Sequence, residues 1–398
     1  MKIHLERRGH AMLSRCGNFF RCLCVLAVTA VFFLFTVDYA FADDLGERDS
    51  VEKEAVCFAQ NFADSVCFDG ALRASDPVAL RDDVGGEVGW VVSYFNDDGD
   101  FSGYIVLDRT VPGLISEYSF EIGARLVDPH GARVGKTFSA DHVYIKSDSC
   151  RYEMIDLDTG EYASNYGETG VLSEEELNAF SSPDLSRSAN YSDWSEIFFD
   201  NLMGNYAVSS TGFINSPPIF FSQQYSVSQI RKYACAVNAL CCVSLYLGVS
   251  DYSSVLSDYS SIWSRTKTRI YKSENGIDYG STTMDDIGSG FNSFAQSKGA
   301  TIRYDEYFAD VPFAFFKNAI DAGGIAVFGC TVKVSGSVSG HAMCVEGYQE
   351  LCLRDKSSRA AVFAPDVLIV SDGWHEYPRY INLASIDWNT SMGTAFYR

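Results

Sequence analysis

A thiol at the mouth of a helix and an imidazole on a strand are the reacting groups this sequence offers, and together they suit acyl transfer. From Gln229 to Gly248 the chain lacks proline, is apolar on nearly every side after Ala236, and ends on a glycine suited to a helix C-terminus. Cys235 falls in the first turn of the helix so predicted, where unpaired backbone N–H groups and the positive end of the dipole favour thiolate over thiol. Cys241 and Cys242 lie roughly 9 to 10.5 Å further along at the helical rise. That is too far for a disulfide to Cys235, which needs Cα atoms within about 7 Å, so they read as core cysteines.

A thiolate nucleophile needs a base, and beyond residue 200 the sequence holds two histidines, His341 and His375. The run Gly340-His341-Ala342-Met343-Cys344-Val345 places His341 at the start of a strand, on the face shared with Met343 and Val345. Alternation sends Cys344 to the opposite face, which argues against a His-x-x-Cys metal site. A second strand, from Val367 to Ser371, runs into Asp372-Gly373-Trp374. Taken alone, Asp372 is a turn residue. Beside the histidine strand it would accept the imidazole N–H and fix the tautomer, with Trp374 shielding the bond.

The order Cys235, His341, Asp372-x-Trp374 resembles the papain-like cysteine peptidases, and more closely the streptopain-like secreted bacterial peptidases. The shared features are Cys235-Ala236 with Asn238-Ala239 on the helix, Gly340-His341-Ala342 with Gly347-Tyr348 on the strand, and Asp372-Gly373-Trp374 near the end. The resemblance covers about residues 215–398 and, more weakly, 43–165, where Gly103-Tyr104-Ile105-Val106 and Ile115-Ser116-Glu117-Tyr118-Ser119 look like the pro-domains of such enzymes. It implies an α+β papain-like fold, a helical part packed on an antiparallel sheet, preceded by a smaller α+β pro-domain. It also implies Cys235 as nucleophile, His341 as general base and acid, Asp372 as the residue orienting His341, and neither cofactor nor metal. The oxyanion hole would join the Cys235 N–H to a glutamine amide, that of Gln229 or else of Gln223 or Gln224. The sequence departs from the pattern at Val237-Asn238, where Pro-Thr is usual, and in about 18 extra residues between Tyr348 and Val367.

The elements that must position these groups sit in a chain of 398 residues whose charge is unevenly spread. Residues 1–42 carry +3, residues 43–200 carry −22 and residues 201–398 carry −2. The net charge of −21 excludes an electrostatic hold on nucleic acid or an anionic membrane. Five basic residues precede an apolar run from Cys22 to Val37 and small residues around Ala42, the pattern of a secretory signal peptide over 1–42, with no stable membrane insertion after its removal. Of 12 cysteines, nine would survive cleavage, an odd count that leaves at least one thiol unpaired or paired between chains.

Residues 43–165 read as an acidic α+β domain. Val51, Ala55, Phe58, Phe62 and Val66 recur at helical spacing, and alternating runs at 89–95, 103–107 and 142–145 predict strands. Residues 166–205, polar and carrying Glu174-Glu175-Glu176, read as a solvated linker with a processing site, and 206–398 as the catalytic domain. The expected protein is a secreted cysteine endopeptidase, made as a zymogen, acting on a protein or peptide substrate with its pro-domain as intramolecular partner. Two other readings are a papain-fold binding or surface protein with an idle cysteine, and a transglutaminase-like enzyme that passes the acyl group to an amine.

Overall fold

The computed structural model describes residues 48–67, 71–128, 141–148, 150–181, 204–215, 221–334, 337–355, 361–386 and 388–398. The signal segment and its expected cut lie outside them. The chain divides into two compact units, residues 1–52 and 53–398. The described residues of the first unit, 48–52, are helical. The second is a sheet-rich mixed α/β body, compact across the boundary expected between residues 165 and 206. No helix among the described residues is long and apolar enough to cross a membrane.

In its N-terminal half, alternating sequence becomes an antiparallel meander of Glu87–Phe95, Phe101–Asp108 and Ile115–Ser119. The last of these is buried at every residue because both faces are covered. On one side a helix over residues 53–66 brings Phe62 edge-on to Tyr118 at 5.0 Å and lets Tyr94 donate to the Ala59 carbonyl at 2.8 Å. The other side packs Tyr104 and Val106 against Leu126, Tyr152 and Met154.

The polar stretch expected to be linker folds as far as Ser181. Strands Glu161–Ser164 and Thr169–Val171 make a hairpin, and Glu174–Ser181 is a helix. The acidic triplet is its first turn, where negative charge suits the dipole. Ser173 and Glu176 cap it reciprocally, with Glu176 N–H donating to Ser173 Oγ at 3.3 Å and Ser173 N–H to Glu176 Oε2 at 2.8 Å. The remainder of the expected linker, 182–203, lies outside the described residues.

The C-terminal half is built around the long strand Ser337–Asp355, antiparallel to Gly204–Phe213, Ile325–Val334 and Asp366–Ser371. His341 therefore lies inside a strand rather than at its start, directly opposite Cys330. The extra residues after Tyr348 lengthen this strand and return as Ala361–Phe363, Leu353 facing Phe363. Helix Cys235–Tyr246 packs on Ser337–Asp355 and Ile325–Val334, with Ala236 through Ser244 all buried.

The two halves share one sheet. Arg379–Asn382 pairs with Ile115–Ser119, setting Tyr380 against Tyr118 and Ile381 against Glu117. The Tyr118 hydroxyl donates to Gln349 Oε1 at 2.5 Å, and Asn382 Nδ2 donates to the Ile115 carbonyl at 2.8 Å. Arg379, fully buried, donates from Nε to Glu117 Oε1 at 3.2 Å, bonds Glu117 Oε2 through Nη2, and donates from Nη1 to Asp372 Oδ2 at 2.8 Å. Removing one partner of a buried pair leaves an uncompensated charge, at a cost of about 3–5 kcal/mol. Glu117→Ala is expected to lose that much in urea denaturation; a loss below about 1 kcal/mol would show that water reaches Arg379.

Candidate active site

Helix Cys235–Tyr246 begins where it does because the chain ahead of it is held extended. Arg231, at φ 51°, separates helix Gln223–Ile230 from strand Lys232–Tyr233, and its guanidinium donates to the carbonyls of Asn275 and Gly276 at 2.8 and 3.1 Å. Lys232–Tyr233 runs parallel to Ile277–Ser281, and the Ala234 N–H donates to the Tyr259 hydroxyl at 2.9 Å. Ala234 then takes the N-cap position in extended geometry with no side-chain cap. An alanine here leaves the first-turn N–H groups to other acceptors.

The Cys235 sulfur is one such acceptor. It sits half-buried within hydrogen-bond reach of the N–H groups of Ala236 and of Ala342, the residue after His341. The helix start and the histidine strand thus meet at this sulfur. Burial nonetheless pushes the Cys235 thiol up, and the surrounding amides only moderate the rise. The helix start alone had favoured a thiolate; in this covered state desolvation wins.

His341 is likewise held neutral. Burial is the main cause that lowers its pKa to about 4, with Asp372 opposing the shift and Arg379 adding to it. Its Nε2 is buried without a hydrogen-bond partner. The covering group is Tyr166, at the tip of the hairpin formed by Glu161–Ser164 and Thr169–Val171. Its ring centroid lies 5.2 Å from that of His341 and 5.8 Å from that of Trp374, and Trp374 meets Tyr233 edge-on at 5.2 Å. Cys150, also from the N-terminal half, interacts through its thiol with Cys330, the cross-strand partner of His341.

The structure does not give Asp372 to His341. Its Oδ1 accepts from the backbone N–H groups of Trp374 and His375 at 2.9 and 3.0 Å, while Oδ2 takes His375 Nδ1 at 2.7 Å and Arg379 Nη1 at 2.8 Å. Burial would raise this carboxyl, but His375 and Arg379 overcome it and hold it well below the usual carboxylate range. The turn packs on the central helix through Gly373, at φ 84°, where a Cβ would come within 2.5 Å of Asn238 Nδ2. That amide donates to the Phe221 carbonyl at 3.0 Å, which gives the departure at Asn238 a structural role.

Gln229 is exposed in the last turn of Gln223–Ile230. Gln223 and Gln224 open the same helix, beside Ser222, whose hydroxyl donates to the Gly373 carbonyl at 3.1 Å. Sequence reasoning missed Arg379, Glu117, Tyr166 and the role of His375. Of these, His375 alone had a local signal, three residues after Asp372 in a turn.

No family profile matches the chain, and no curated protein matches it. Among solved structures it is similar to the active wild-type interpain A cysteine protease of Prevotella intermedia, with a TM-score of 0.25 and 15% identity. The match covers 36% of this chain and 55% of that one, about half its length. A likeness this remote assigns no residue roles here.

The pH dependence of the covered state follows from His341. Its ring stays neutral in the fold down to about pH 4, whereas the unfolded chain takes up the proton near its ordinary 6.5. The unfolded state thus binds more protons between those values, so stability falls as pH drops from 6.5 to 4 and this contribution levels off below. The whole effect is at most about 3–4 kcal/mol. His341→Phe is expected to lose less stability than the parent chain between pH 7 and pH 4 in parallel denaturant titrations. Equal losses in the two proteins would mean that the ring is hydrated.

Proposed function

We propose that this chain is a latent, exported cysteine peptidase of the papain-like, streptopain-like kind, silenced by its own N-terminal half. The observation that carries the reading is the meeting of the Cys235 sulfur, at an uncapped helix start, with the amide next to His341. In the uncovered enzyme His341 would take the thiol proton and the sulfur would attack the carbonyl carbon of a peptide bond. The C–N bond would break as His341 returns that proton to the leaving amine, and water would then hydrolyse the thioester. The helix start, with no side-chain cap, would offer its first-turn N–H groups as donors to the oxyanion.

Latency has a physical basis in the same geometry. With Tyr166 over the ring, both partners are neutral, so the thiolate–imidazolium pair that attacks is absent. Activation on this reading requires a cut within 182–203 followed by departure of the N-terminal half. A second reading, in which that half stays and the protein binds without cutting, draws on the sheet shared by the two halves.

A thiol-directed peptide electrophile separates the two. The label is expected on Cys235, slowly in the full chain and roughly 10²-fold faster in Tyr166→Ala, since base assistance by His341 is worth at least that much. After proteolytic removal of the N-terminal half, the parent protein is expected to hydrolyse peptides and Cys235→Ala is not. Hydrolysis retained by Cys235→Ala would remove the thiol from the mechanism, and an uncovered protein that neither labels nor cuts would establish the binding reading.

A further inference from the structure

A second group of soft ligands lies behind the helix mouth and takes no part in the chemistry above. Cys242, two turns along the helix from Cys235, meets Cys344 and Glu346 from the strand that carries His341. The two sulfurs and a carboxylate oxygen lie within 4.8 Å of one another. All three residues are buried, Glu346 at 1% exposure, and Glu346 Oε1 has no hydrogen-bond partner. The Cys242 sulfur makes a long contact of 3.8 Å with Ser371 Oγ. A carboxyl oxygen left unpaired at such depth is costly and calls for a compensating group.

We propose that Cys242, Cys344 and Glu346 form a site for one zinc-class divalent cation that clamps the helix bearing Cys235 to the strand bearing His341. Two thiolates and a carboxylate are a donor set that borderline-soft divalent ions accept, with a fourth position left for water. Binding would release to solvent the protons of both thiols and of the buried carboxyl, so affinity rises with pH. Cys344 is three residues from His341, which makes the ion a brace for the reacting pair, remote from the scissile bond.

The test is cobalt titration of the full chain, purified reduced and without chelator, in a Cys235→Ala background so that the candidate nucleophile contributes no sulfur. One equivalent of Co²⁺ is expected to produce thiolate-to-metal charge-transfer absorption and tetrahedral visible bands, displaced by Zn²⁺. Glu346→Gln, nearly isosteric, is expected to weaken cobalt binding by no less than the roughly 10–100-fold that loss of an outer-shell partner costs. Cys344→Ser is expected to abolish the charge-transfer band, with circular dichroism confirming that both variants are folded. Absence of the band, or a band unchanged by Glu346→Gln and Cys344→Ser, would overturn the site. So would recovery of Cys242 and Cys344 as a disulfide, with a mass lower by two hydrogens, from protein purified in the presence of Zn²⁺. None of these readouts depends on peptidase activity, so the metal site and the peptidase reading fail separately.

Discussion

The buried guanidinium of Arg379 is the constraint from which the arrangement of the site follows. A fully desolvated cation is tolerated only if its N–H groups are paired, and here the pairing is divided between Glu117 in the N-terminal half and Asp372 in the C-terminal half. The bidentate grip on Glu117 fixes the register of Arg379–Asn382 against Ile115–Ser119. The bond to Asp372, with His375 on the same oxygen, fixes the Asp-Gly-Trp turn. Asp372 is thereby committed, and its oxygens accept from groups other than His341.

That commitment, together with burial, bears on the protonation of His341 and Cys235. An imidazole acquires a proton in a protein interior only if an anion compensates the lost hydration. The nearby anion, Asp372, does pull toward a charged ring, but its pull falls short of the desolvation penalty, and the field of Arg379 works against it. Buried beside Tyr166 and with no carboxylate on its Nε2, His341 is held neutral, and burial likewise keeps the proton on the Cys235 thiol. On the proposed reading, latency would be a matter of protonation as well as of steric cover.

Much of the architecture was legible because it rests on local pattern. Period-two alternation marked the strands around Trp90, Ile105 and Tyr144, and the apolar run after Ala236 ending at Gly248 marked the central helix. Polarity misled where two apolar positions and local hydrogen bonding suffice. Glu174-Glu175-Glu176 looks like a solvated linker, yet a serine cap, the helix dipole and the half-buried Leu177 and Phe180, packed against Ala79, Val143, Ile145 and Ile155, fold it. Cys235 and His341 could be placed from sequence because a helix start and a strand carry them. Asp372 was assigned to the wrong neighbour because its partner choice is decided by Arg379 and Glu117, residues separated by most of the chain. No spacing rule encodes that competition; only the strand pairing of Tyr380 with Tyr118 brings it about.

The shared sheet also bears on how such a precursor would mature. A cut within 182–203 breaks one covalent link but none of the strand pairs, the Tyr118–Gln349 bond or the Arg379–Glu117 pair. What it changes is the standing of the cover, which turns from a tethered segment at high effective concentration into a separate chain free to dissociate. Departure would then expose the edge Arg379–Asn382 and admit water to Arg379, which lowers the desolvation penalty that had made Glu117 necessary. Water would reach the imidazole at the same time, because Tyr166 leaves with the same piece. If the proposed departure occurs, one event would uncover the ring, rehydrate the thiol and weaken the hold of Arg379 on Asp372. Those three changes act in one direction, toward a charged cysteine–histidine pair, and none of them requires the C-terminal half to refold.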